Sequence, residues 1–198
     1  FDMPFTDEEL VKVPFYRPTD QSPELRYMHE RRQRLGGYLP VRLPGSQVLP
    51  VPELDAFAQV LQGSDRAIST TMAFVRILNV LVKMPVLGER VVPIVPDEAR
   101  TFGMEGMFRQ LGIYSHVGQL YTPEDSDQMM FYKEDKKGRI LEEGINEAGA
   151  MSAWMAAGTS YSMNDLPMLP FYIFYSMFGF QRIGDLAWAA GDIQAQGF

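Results

Sequence analysis

The sequence predicts an α/β fold, a parallel sheet with helices on both faces, and two observations carry that prediction. Short apolar runs, RVVPIVPD (90–97), RILEEGI (139–145) and LPMLPFYIFYS (166–176), alternate with stretches of helical spacing. Past the carboxyl ends of these runs stand Asp97-Glu98, Glu147 and Tyr175 to Phe178, where sheets of this kind bind ligands. Bulk composition permits such a domain. Hydrophobic residues make up 46% of the 198 residues, enough for a full core.

The elements follow in order. Residues 1–52 are rich in proline and charge and read as an extended linker with one short helix, from about Pro23 to Leu35. Ser22 is a suitable N-cap, Pro23 suits the first helical position, and Gly36-Gly37 end the helix. Its HERRQR run reads as a solvated helix face or as a site for an acidic partner. Residues 53–198 form the α/β domain. PELDAFAQVLQGS is a short amphipathic helix stopped by Gly63. STTMAFVRILNVLVKM carries Met72, Val75, Leu78 and Val82 at helical spacing. RVVPIVPD is a buried strand, and TFGMEGMFRQL a loop leading into a helix. EDSDQMMFYKEDKKGRI is charged and turn-like, with its turn at Lys137-Gly138. RILEEGI is the next strand and NEAGAMSAWMAAGTSYS the helix after it. LPMLPFYIFYS is another buried strand, and FQRIGDLAWAAGDIQAQ closes with Ile183, Leu186, Ala187 and Ala190 on one helix face.

Several function classes drop out. A net charge of −7 argues against a nucleic-acid binder. The longest apolar run, Leu166 to Phe180, is too short and proline-rich to span a bilayer, so no membrane is expected. Without cysteine there is no disulfide framework or thiol nucleophile, which fits a reducing cytoplasm. No dinucleotide, P-loop or H-E-x-x-H motif is present, and GTSYS lacks the second glycine of a nucleophile elbow. Two histidines far apart, His29 and His116, do not make a metal site. A chain opening on Phe1 and closing on Gly197-Phe198 reads as a piece of a longer one.

The acids are the informative residues. Asp97 and Glu98 read from spacing as helix caps or as functional acids, since a helix N-terminus favours either. Glu147 opens a helix of small residues, Ala148, Gly149, Ala150, Ser152, Ala153, Ala156, Ala157 and Gly158, that lets another backbone approach closely. A carboxyl desolvated there is suited to moving protons, though spacing alone leaves the capping role equally open.

The wording of the sequence says more. DEARTFGMEGMFRQLGIYS (97–115), YKEDKKGRILEEGINEAGA (132–150), TSYS (159–162) and PFYIFYSMFGFQRIGDLAWAAGD (170–192) closely resemble the homodimeric bacterial type of pyruvate dehydrogenase. YMHERRQRLGGYLP (27–40) resembles the stretch before that enzyme's middle domain, so the likeness spans the chain. It implies the thiamine-diphosphate-binding fold, with residues 53–198 an incomplete pyrimidine-binding domain. It implies that Glu147 hydrogen-bonds a ring nitrogen of the cofactor's aminopyrimidine and favours its imino form, in a dry cleft between subunits. Phe178 would stack on the ring, with core packing its other reading. Glu98 and Tyr175 would line the substrate side, and Asp97 and Ile145 would neighbour the cofactor. The resemblance further implies decarboxylation of pyruvate, a homodimer, and a dihydrolipoyl acetyltransferase partner. The Mg2+ ligands are expected outside this chain, because no GDG motif is present. Such a piece alone should be inactive. A transketolase-like enzyme of the same cofactor class, or a dimerisation module with capping acids, are the alternatives.

Overall fold

The computed structural model describes residues 4–37, 42–96, 99–124, 126–127, 132–174 and 176–198. The chain divides into two compact units, Phe1–Arg42 and Leu43–Phe198. In the first unit, Thr6 opens α1 (Asp7–Leu10) through a reciprocal cap. Its hydroxyl accepts from Glu9 N at 3.3 Å, and its own N–H donates to Glu9 Oε2 at 2.9 Å. Ser22 Oγ accepts from Leu25 N at 3.3 Å and Pro23 takes the first position of α2 (Pro23–Arg34), as the sequence predicts. No residue of either helix is buried, so capping rather than core packing defines them.

The second unit begins with a 3-10 turn, Leu54–Phe57, that runs into α3 (Ala58–Leu61). Ser69 caps α4 (Thr70–Leu81) by accepting from Met72 N at 3.1 Å. A single turn, α5 (Leu87–Arg90), leads into β1 (Val91–Val95). After a 3-10 turn at Ala99–Phe102 come α6 (Glu105–Leu111), β2 (Ile113–Tyr114), β3 (Glu134–Asp135) and β4 (Leu141–Glu142). The chain continues through α7 (Glu147–Gly158), α8 (Ser160–Asn164), β5 (Leu169–Tyr172), α9 (Met177–Gln181) and α10 (Gly184–Asp192).

The main sheet is parallel and three-stranded, in the order β4-β1-β5. Ile94 lies opposite Leu141 on one side and Tyr172 on the other. Two prolines sit in it without breaking the ladder. Ile94 O accepts from Ile173 N on the β5 side, and Val95 O from Glu143 N on the β4 side. Because backbone groups alternate sides, Pro93 faces the β4 edge, where described pairing starts only at Ile94. Pro170 faces the outer edge of β5, where its carbonyl accepts from Phe198 N at 3.0 Å.

Side-chain alternation along β1 sends its residues to two cores. Val91 and Val95 join Val75 and Leu78 of α4, Val82 at its C-terminal end, Met107, Phe108 and Leu111 of α6, and Phe171 of β5. Val92 and Ile94 face Ala150, Met151 and Trp154 of α7 and Ile183 and Ala190 around α10. The sheet is therefore covered on both faces, as the sequence predicts. Trp154 also fastens α7 to the strand edge, its Nε1 donating to Pro170 O at 3.2 Å and to Phe198 O at 3.1 Å.

Two local expectations change. The segment read as charged and turn-like contains β3, which pairs in parallel with β2. The N–H groups of Ile113, Tyr114 and Ser115 donate to the carbonyls of Lys133, Ile140 and Asp135, so this backbone needs partners even though its side chains are polar. The expected single helix after RILEEGI breaks at Thr159. There the hydroxyl donates back to Met155 O at 2.9 Å, while Gly158 O accepts from Gln196 N at 2.9 Å instead of continuing the helix. No helix among the described residues is long and apolar enough to cross a membrane.

Candidate functional site

Glu147 is reached from β4 through a tight connection. Gly144 adopts a φ of +74°, and Asn146 then caps α7 by accepting from Gly149 N at 3.0 Å. A Cβ on residue 149 would stand 2.5 Å from Asn146 Nδ2, so a larger residue there would make the capping side chain shift. The cap points Glu147, the first helical residue, inward rather than to solvent. It is 7% exposed, one of few buried polar residues in the described chain.

A buried carboxylate is costly unless it is paired. Arg182, which follows α9, supplies the pair: its Nη1 lies 2.7 Å from Glu147 Oε1. The same guanidinium lies over the Phe178 ring, 4.6 Å from its centroid. Phe178 and Arg182 are four residues apart on one turn, so a single short helix presents both to the acid. Glu147 Oε2 has no hydrogen-bond partner among the described residues.

These groups border a cleft of about 160 Å³ lined by Pro96, Ile145, Glu147, Phe174, Ser176, Phe178, Gly179 and Arg182. Pro96 follows β1, Ile145 follows β4 and Phe174 follows β5, so the cleft lies outside the carboxyl ends of all three strands. A cavity of about 150 Å³ accommodates a benzene ring, so this cleft suits one flat six-membered ring. One wall offers an aromatic face for stacking and the floor a carboxylate that can accept a hydrogen bond from the edge of a polar ring. No group of three metal-ligating side chains occurs among the described residues.

Of the residues singled out in the sequence, the structure brings Glu147, Ile145 and Phe178 to one cleft. Phe178 is 42% exposed there, not a core residue. Ile145 lines the rim and is mostly exposed. Asp97, Glu98 and Tyr175 lie outside the described residues; their neighbours Pro96, Phe174 and Ser176 line the cleft. Sequence reasoning missed Arg182. The available signal was its place one turn after Phe178, as a cation next to the expected acid site.

Residues 49–198 match the family model of the pyruvate dehydrogenase E1 component middle domain. Over the whole chain the sequence is 70% identical to the pyruvate dehydrogenase E1 component of Pseudomonas aeruginosa, 58% to that of Cupriavidus necator and 57% to that of Escherichia coli K12. It covers 23% of the first of these and 22% of the other two, so it spans under a quarter of the length of these curated relatives. An α/β unit with a carboxylate cleft at its strand ends, matched by that model along three quarters of its length, belongs to the pyruvate dehydrogenase E1 component middle-domain family.

Proposed function

We propose that this chain carries the aminopyrimidine-binding half of a thiamine-diphosphate site in a pyruvate dehydrogenase E1 component. The observation that carries the reading is the buried Glu147 carboxylate at the floor of a ring-sized cleft beside the Phe178 face. The residues fit the group. Glu147 Oε2 faces no described partner and is the atom to hydrogen-bond a ring nitrogen, while Arg182 on Oε1 fixes the carboxylate's orientation. Phe178 covers one ring face and Ile145 closes the rim through apolar contact. When bound, thiamine diphosphate supplies a carbanion that adds to the carbonyl of a 2-oxo acid such as pyruvate. Glu147 holds or releases the proton at Oε2, and burial strengthens that hydrogen bond by lowering the local dielectric. By the family resemblance, Glu98 and Tyr175 serve the substrate side and Asp97 neighbours the cofactor.

The wider reading rests on the family resemblance of the sequence. The full enzyme is a cytoplasmic homodimer with Mg2+ ligands outside this chain. It decarboxylates pyruvate and passes the acetyl group to the lipoyl group of a dihydrolipoyl acetyltransferase. The isolated 198 residues are inactive. The test is Glu147→Gln in the full-length protein. Pyruvate decarboxylation is expected to fall by roughly 10²–10⁴-fold, the contribution of a positioned proton-transfer group. An unchanged rate would remove Glu147 from the chemistry.

A further inference from the structure

We propose that Tyr172, the last residue of β5, is a positioning residue that locks α9 and with it the cleft wall formed by Phe178 and Arg182. The inference rests on the reading of this cleft as the aminopyrimidine site. Tyr172 is anchored on three sides. Its backbone is in register with Ile94 of β1, its N–H donates to Phe198 O at 2.8 Å, and its ring packs against the core under α7 and α10. From that fixed base its hydroxyl donates to Gly179 O at 2.8 Å.

α9 needs such an anchor. It is five residues long, and Ser176 gives it no side-chain cap, so it cannot hold its own shape. Gly179 directly follows Phe178 and precedes Arg182 by three residues, so one O–H···O=C bond fixes the turn that carries both cleft groups. Phe174 secures the other side of the same turn. Its ring centroid is 5.6 Å from that of Tyr172, and its Cβ lies 3.0 Å from where a side chain on residue 179 would begin. Any larger residue at 179 would push Phe174 and the turn apart. Burial, and then the negative charge of Glu147, push the Tyr172 pKa up to about 12, so the phenol remains a donor across the neutral range.

The test is Tyr172→Phe in the full-length protein, which keeps the ring and removes one hydrogen bond. Without cofactor, amide hydrogen exchange across residues 177–182 is expected to accelerate about fivefold to tenfold, and the Kd for thiamine diphosphate to rise by a similar factor, the scale of one neutral hydrogen bond. Tyr132→Phe is the control, since that partly buried hydroxyl donates to Glu134 away from the cleft, at 3.2 Å, and should leave both readouts unchanged. Combined with Phe178→Ala, the Tyr172→Phe change should weaken binding little further, because both act through one wall. Unchanged exchange and affinity in Tyr172→Phe, or fully additive losses with Phe178→Ala, overturn the inference. If Glu147→Ala and Phe178→Ala both bind thiamine diphosphate normally, the reading of the cleft fails and the inference falls with it. If they bind weakly while Tyr172→Phe binds normally, the inference about Tyr172 alone fails.

Discussion

The two faces of the three-stranded sheet are built from different side chains. On the face under α4 and α6 the buried residues are hydrophobic and mostly large: Leu78, Phe102, Met104, Met107, Phe108 and Leu111. On the face under α7 and α10 the core is thinner, with Ala150 and Ala190 between Met151, Trp154 and Ile183. Among the described residues, this second face continues at the strand ends into a buried carboxylate with a cationic partner. Large apolar side chains fill the first face. Small residues on the other bring α7 close to the strands and leave space at its first turn for Glu147. On the proposed function, substitutions on the two faces should therefore fail in different ways.

The sharpest contrast is expected between Glu147 and Phe108. Glu147→Gln in the full-length protein should reduce turnover by roughly 10²–10⁴-fold with little change in unfolding free energy. Steady-state kinetics beside denaturant melts would show it. Phe108→Ala empties the first face, where this residue is 2% exposed and meets the Tyr132 ring edge-on at 6.1 Å. It should cost about 3–5 kcal/mol of stability while leaving thiamine diphosphate affinity unchanged in the protein that remains folded. If Phe108→Ala weakened binding as much as Glu147→Gln slowed turnover, the two faces would not be separable.

A smaller change probes the junction. Gly149→Ala puts a Cβ against Asn146 Nδ2 and should disturb the α7 cap by about 1 kcal/mol, with a larger relative loss in activity because Glu147 begins the same turn. Thermal melts and kinetics on one preparation would compare the two effects.

The smallest expected effect lies away from both faces. Asp165, in the left-handed region at φ +51°, accepts from the Ser46 hydroxyl and N–H, each at 2.5 Å. First the hydroxyl and then the amide hold its carboxyl below the usual carboxylate range. A lowered folded pKa means the anchor is complete above the ordinary value of about 4 and is lost as pH falls through the lowered one. Asp165→Asn, which tolerates the same backbone, should abolish the acid-dependent rise in amide exchange at Ser46 and leave turnover unchanged.

Much of this architecture was legible because its signals were local. Ser22-Pro23 announce α2, Val75, Leu78 and Val82 recur at helical spacing, and the apolar run from Val91 to Val95 has no other role than a doubly buried strand. Glu147 was legible as an acid at a strand–helix junction, and the motif around it named the family. What escaped depends on groups distant in sequence. The pairing of β2 with β3 is set by backbone needs of Ile113 to Ser115 some twenty residues away. The break at Thr159 reflects Gln196 arriving at Gly158 O, which no helical periodicity records. Arg182 escaped because its distance from Glu147 is set by how α9 folds back after β5, and that turn is held by Tyr172 and Phe174 rather than by its own sequence.

The central claim is that Glu147 and Phe178 form the floor and wall of a site for the aminopyrimidine ring. A crystal structure of the full-length protein with thiamine diphosphate bound tests it most directly. The account predicts a ring nitrogen at a hydrogen-bond distance of about 2.6–3.2 Å from a Glu147 carboxylate oxygen, with the ring lying on Phe178. An aminopyrimidine seated elsewhere, with Glu147 paired to Arg182 alone, would contradict it.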